Sequence, residues 1–213
     1  MSTTPFSAFL INVRPYCPNV PETVAFNAVA NATIEFLRES LWLQADFEGI
    51  AVPPYVSEIE MPTAPDVEVA QFLSVAFNNF KLRTSTESEL SQIYGLDWRQ
   101  QTGLPMFYIS SNDQVLRLVP TPDNNAVGYL YVTAALKPVR SAVDVDSSVF
   151  DRWLEEIACG ARARLHEMAG QSFTDFRLAQ ACAARFRTGI ARARAERSAS
   201  AVGELKVIPR RFY

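Results

Sequence analysis

The chain has 213 residues, 48% of them hydrophobic and 20% charged, with 20 basic and 23 acidic side chains and a net charge of −3. That composition suits packed soluble domains and excludes a disordered, collagen-like or low-complexity chain. Charges break the apolar runs every few residues, so none reaches the roughly 20 residues of a membrane span, and the opening MSTTPFSAFL lacks the basic lead of a signal peptide.

A turn-rich segment at 14–21 precedes the first expected helix, with Asn19 as its cap and Pro21 in its first turn. Val24, Ala25, Ala28, Val29, Ala32, Phe36, Leu37 and Leu41 recur at helical spacing, opposite Asn27, Asn31, Glu35 and Glu39. This predicts an amphipathic helix to about Trp42. From there to 139, prolines at 53, 54, 62, 65, 105, 120, 122 and 138 interrupt any long helix and short apolar runs take over. Strands are expected at 43–52, 56–61, 107–109, 114–119 and 127–136, the last two forming a hairpin through a turn at 121–125. Within VEVAQFLSVAFNNF, Val69, Phe72, Leu73 and Ala76 fit a period near 3.6 and predict a short helix over 67–81, followed by a Thr/Ser loop into SELSQIYG.

A second helical block opens at a cap candidate, Ser147 or Ser148, carries Phe150, Trp153, Leu154, Ile157, Ala161, Leu165 and Met168 on one stripe, and stops at Gly170. A third helix starts at Thr174, with Phe176, Ala179, Ala183, Phe186, Ile190 and Ala193 as a narrow seam. Small residues in IACGARA and AQACAA let these two helices approach closely as an antiparallel hairpin. The expected fold is α+β: a helical bundle from the N-terminal helix and the C-terminal hairpin, an inserted antiparallel β domain, and an extended C-terminal arm. The corresponding segments are 1–42, 43–139, 140–197 and 198–213.

Catalytic chemistry is sparse. The one histidine, His166, sits near a helix end, where an imidazolium can meet carbonyls. No glycine-rich phosphate loop, nucleophile elbow or paired metal-ligand spacing occurs. Cys17, Cys159 and Cys182 form an odd set expected to be reduced and structural. The acidic pairs Glu155/Glu156 and Asp144/Asp146 fit solvated positions. The expectation is a protein that is not an enzyme and takes no cofactor or metal, and whose function lies in its surfaces.

Charge divides along the chain: residues 1–139 carry 7 basic and 14 acidic side chains, residues 140–213 carry 13 and 9. Arg185, Arg187, Arg192 and Arg194 flank the seam of the third helix, where they can pair with acidic groups of a neighbouring copy, meet nucleic-acid phosphate, or simply face solvent. Complementary halves on identical chains favour head-to-tail contact, which closes into rings. The end of the chain combines a strand-like run, Leu205, Lys206, Val207 and Ile208, with Arg210, Arg211, Phe212 and Tyr213, residue types that anchor interfaces. It reads as a partner-binding arm, with a frayed terminus or an arm folded back on its own chain as alternatives.

Three stretches together carry a family resemblance: VRPYCPNVPETVAFNAVANATIEFLRESLWL, the central LRLVPTP followed by LYVTAALKPVR, and the closing pair VFDRWLEEIACGARARLHEMAG and FRLAQACAARFRTGIARARAE. In order and spacing the chain resembles the head-to-tail adaptor proteins of tailed bacteriophages, the kind called tail tubular protein A in short-tailed phages. The resemblance implies a twelve-membered ring beneath the portal protein, joined to a tail nozzle or tail tube protein. Genomic DNA would pass through its channel without sequence-specific binding. It also implies a place at the head–tail junction of the virion after synthesis in the host cytoplasm, a portal-binding role for the arm at 205–208 and 210–213, and no membrane partner. Another neck or tail-completion protein, and a nucleic-acid-binding regulator using the Arg-rich helix, remain alternatives.

Overall fold

The computed structural model describes residues 2–110 and 114–202, the last three without their side chains. The fold is α+β, and the chain divides into two compact units, one of residues up to Trp42 together with those from Val143 onward, the other Leu43–Ala142.

In the first unit, β1 (Thr3–Pro5) pairs antiparallel with β10 (Asp144–Asp146), and a 3-10 segment, Phe6–Asn12, follows β1 directly. The helices are α1 (Glu22–Ser40), α3 (Ser147–His166) and α4 (Phe176–Val202), which pack pairwise. Pro21 occupies the cap position of α1, whereas Asn19, the expected cap, takes a left-handed conformation in the preceding turn. Leu41 closes the helix, also left-handed, with its N–H on the Leu37 carbonyl. The α3 cap is neither expected serine but Asp146, whose Oδ1 accepts from the Ser148 N–H at 2.9 Å. A carboxylate one residue upstream is the stronger acceptor for the helix dipole. That helix ends at His166, ahead of the expected stop at Gly170, and α4 runs to Val202, past the linker expected from 198. SASAV is rich in small residues but contains neither Gly nor Pro, so nothing in it breaks a helix already propagating.

The second unit holds two four-stranded sheets. One has the order β2 (Gln44–Val52), β9 (Gly128–Pro138), β4 (Val67–Phe77), β5 (Phe80–Lys81). The other has β3 (Glu58–Glu60), β8 (Val115–Val119), β7 (Phe107–Ser110), β6 (Arg83–Thr84). All pairs are antiparallel except β6 with β7. Val52, Phe72, Val75, Phe77 and Leu130 of the first sheet and Ile59, Tyr108, Leu116 and Leu118 of the second belong to one apolar core.

Two expectations fail here for visible reasons. The helix expected over 67–81 is strand β4. Its register against β9 shifts between Val69 and Gln71 and again between Phe72 and Ser74. Each bulge inserts a residue, so the buried positions fall at Val69, Phe72, Val75 and Phe77, and a spacing of three imitates a helix. The hairpin expected between 114–119 and 127–136 does not form either, because β8 pairs with β3 and β7 while β9 pairs with β2 and β4. The turn chemistry itself is present, Asp123 Oδ1 accepting from the Asn125 and Ala126 N–H groups. A connection carrying Pro120 and Pro122 is too long and too poor in donors for a tight hairpin, and it crosses from one sheet to the other. The segment SELSQIYG becomes α2 (Glu87–Tyr94), opened by a capping box in which Thr86 and Glu89 satisfy each other's backbone N–H.

Candidate functional site

The α4 helix starts on Asp175, whose carboxylate accepts from the N–H groups of Leu178 and Arg177; these hydrogen bonds, led by Leu178, hold its carboxyl below the usual range. The helix lies close on α3 because two glycines leave room. The Phe186 ring crosses Gly160, and Glu156 crosses Gly189. Ala179, Phe186 and Ala193 of the expected seam are buried, but Phe176 is 60% exposed. It belongs to the first helical turn, before α4 meets its neighbour.

The four arginines expected at an interface split into two pairs. Residues seven apart share a helix face, so Arg185 and Arg192 lie on one flank of the seam and Arg187 and Arg194 on the other. All four are exposed. Arg192 is engaged within its own chain: it reaches Glu156 at 2.8 Å and Glu196 at 3.8 Å, and its guanidinium lies 4.8 Å from the Trp153 ring centre. Among the described residues, Arg185, Arg187 and Arg194 have no side-chain hydrogen bond or ion pair.

His166 does not face the end of its own helix. It is 2% exposed, with Nδ1 2.7 Å from the Phe173 carbonyl and Nε2 3.8 Å from Cys17 Sγ. The ring therefore ties the α3–α4 loop to the segment before α1. Alongside it, the buried Arg162 donates to Cys159 Sγ at 3.0 Å and to Glu155 at 3.2 Å, and its guanidinium lies 4.3 Å from the Tyr16 ring centre. Cys17, Cys159 and Cys182 are free thiols. Burial pushes Cys17 up to about 11 despite the opposing charge of Arg162, and burial raises Cys182 as well. Cys17 and Cys182, held protonated at neutral pH, are poor nucleophiles, and the contacts of the cluster fasten the helices to the segment before α1. No group of three or more potential metal ligands occurs among the described residues.

Sequence reasoning missed an open apolar groove in the first unit, with a volume of about 580 Å³. Ser7, Ala8, Leu10 and Ile11 of the 3-10 segment line it, with Arg14, Pro15, Glu22 and Phe150. The 3-10 segment exists because Phe6 and Phe9, three residues apart, eclipse each other on one side. Both are fully buried, Phe6 edge-on to Phe26 and Phe9 edge-on to Phe150 at 5.0 Å. Ile11 is left 69% exposed. The only sequence signal was the short run FSAFLI, below the length at which periodicity decides anything. The arm residues Leu205, Lys206, Val207, Ile208, Arg210, Arg211, Phe212 and Tyr213 lie outside the described residues.

No helix among the described residues is long and apolar enough to cross a membrane. No curated relative matches the chain. The family model described as SU10 adaptor protein matches residues 4–205, and the chain belongs to that family of phage adaptors. Family membership implies a structural component of the virion that binds other head and tail proteins.

Proposed function

We propose that this adaptor assembles as a ring below the portal, twelve-membered as its resemblance to tail tubular protein A implies, and joins the portal to a tail nozzle or tail tube protein. DNA would pass through the ring without sequence-specific binding. The observation that carries this reading is the family match over nearly the whole chain. Exposed guanidinium groups on α4 support a head-to-tail contact between copies, Arg187 and Arg194 on one flank and Arg185 on the other, because an acidic chain offers many carboxylates to receive them. The net charge of −3 also suits a conduit, since a wall lined continuously with cations would hold the phosphate backbone. In this reading the arm at 205–213 grips the portal, and ring closure lets many modest contacts act together.

The test is to mix the purified chain with portal rings and record native mass and electron micrographs with the C-terminus labelled. The expected product is a second ring stacked on the portal with the labels at the junction. Removing residues 204–213 should leave the fold intact and weaken attachment, while Arg187→Glu with Arg194→Glu should prevent ring closure. A chain that stays monomeric and ignores portal rings refutes the proposal.

A further inference from the structure

The groove beside the 3-10 segment is apolar, open and unfilled by any described residue. Its volume lies within the range of about 300–1,000 Å³ that holds a compact ligand, enough for a few apolar side chains. Phe150, in the first turn of α3, lines it. The course of α4 leads toward that turn. Arg192 pairs with Glu156, and Glu196 with Arg152 at 2.7 Å, so the antiparallel register carries across the kink that α3 makes at Trp153 (φ −124°, ψ 15°). Continued along α4, that register brings Val202 level with the start of α3. Eleven residues follow Val202, and a chain of that length reaches at most about 36–40 Å, ample to enter the groove. Leu205, Val207 and Ile208 among them are apolar and suit it. The charged lining residues, Arg14 and Glu22, pair with each other at 3.1 Å, so the groove offers the arm apolar surface rather than net charge.

We propose that in the free protein residues 203–213 dock in this groove of their own chain, with Leu205, Val207 and Ile208 against Ala8, Ile11 and Phe150. The groove is then the parking place of the arm. This goes beyond the portal reading, because it concerns the chain before assembly and holds whether or not the same residues later engage a portal. A docked arm also keeps its apolar residues from other copies until something competes for them.

The experiment uses the full chain with no portal present. Trypsin is added briefly, and cleavage after Lys206 is followed by mass spectrometry as the appearance of the chain ending at Lys206. When docking exchanges faster than cleavage, the rate tracks the undocked fraction. Ile11 is exposed, so Ile11→Gln leaves the fold alone while removing an apolar wall. Expected is cleavage about tenfold faster in Ile11→Gln than in the wild type or in Ile11→Leu, with a wild-type rate independent of protein concentration. Equal rates in wild type and Ile11→Gln overturn the proposal and leave the groove to another protein. Protection that strengthens with protein concentration also overturns it, in favour of an arm donated by a second copy. Neither outcome bears on portal binding, which the stacking experiment reads separately.

Discussion

The contact between Gly160 and Phe186 allows a test whose sign is decided by geometry. Replacing a helix-interior glycine with alanine ordinarily stabilises by about 1 kcal/mol, because the backbone loses less freedom on folding. At Gly160 the added Cβ would stand 2.7 Å from two atoms of the Phe186 ring. The ring has little room to move: Phe186 is buried, its centre lies 6.1 Å from that of Phe36, and the Arg164 guanidinium sits 5.7 Å away on its other contact. Overpacking of this kind costs about 1–3 kcal/mol. Gly160→Ala should therefore destabilise the first unit by about 1 kcal/mol net, or about 2–4 °C in Tm for a chain of this length. Urea unfolding followed by the helical circular dichroism signal reports on it directly, since α1, α3 and α4 all lie in that unit. The partner change Phe186→Leu withdraws the ring edge, and the double variant should be more stable than the two single losses predict, by about 1 kcal/mol. A Gly160→Ala chain that unfolds at higher urea than the wild type would show that α4 does not pack this closely.

Alkaline pH tests the buried thiol. Below about pH 9 Cys17 is protonated folded and unfolded alike; between 9 and about 11 only the unfolded chain ionises, so stability falls across that window. The full loss is roughly 2–3 kcal/mol for a shift of this size, and Cys17→Ala should flatten most of it, Cys182 leaving a residual slope in the same direction. Unchanged pH dependence in Cys17→Ala would contradict the burial of that thiol. Arg192→Ala should cost about 1–3 kcal/mol in the same urea experiment, because Glu156, only 13% exposed, loses its partner; a loss below about 0.5 kcal/mol, as for an exposed pair, would mean that water reaches Glu156 freely.

The three long helices, α1, α3 and α4, were legible because their apolar signals are local and continuous, whereas the eight-residue α2 was not. In α3, Trp153, Ile157, Ala161 and Leu165 recur at intervals of four, and all are buried. Of the eight strands among the described residues of the second unit, β2, β3, β7, β8 and β9 were readable in position but not in pairing, and β5 and β6, two residues each, were too short to read. Leu116, Leu118, Leu130 and Val132 alternate as strand residues should, yet nothing local says that the first two face a different sheet from the others. Partner choice depends on which edges are free once the sheets assemble, a long-range condition. At β4 the local signal was itself misleading, since two bulges turned a period of two into a period of three. A residue left over in a ladder is defined only by the opposing strand, here β9, so no window of β4 alone reveals it.

The arginines divide in the same way between what is local and what is not. Their seven-residue spacing already sorts Arg185 with Arg192 and Arg187 with Arg194, because two helical turns return to the same side. That Arg192 is consumed depends on Glu156 and Trp153 arriving from α3, which only the packed pair of helices decides. Ile11 shows the converse case, an exposure forced by local geometry. A 3-10 segment that buries Phe6 and Phe9 on one side, with Leu10 beside them, has no inward position left for the next residue. A large aliphatic side chain held outward on an ordered turn, beside Leu10 and Phe150, loses only its own rotamer freedom, about 0.5–1 kcal/mol, when another apolar segment covers it. The larger cost, about 1–2 kcal/mol per residue, falls on the segment that must be ordered to cover it, so the covering segment has to bring several apolar side chains for burial to outweigh it.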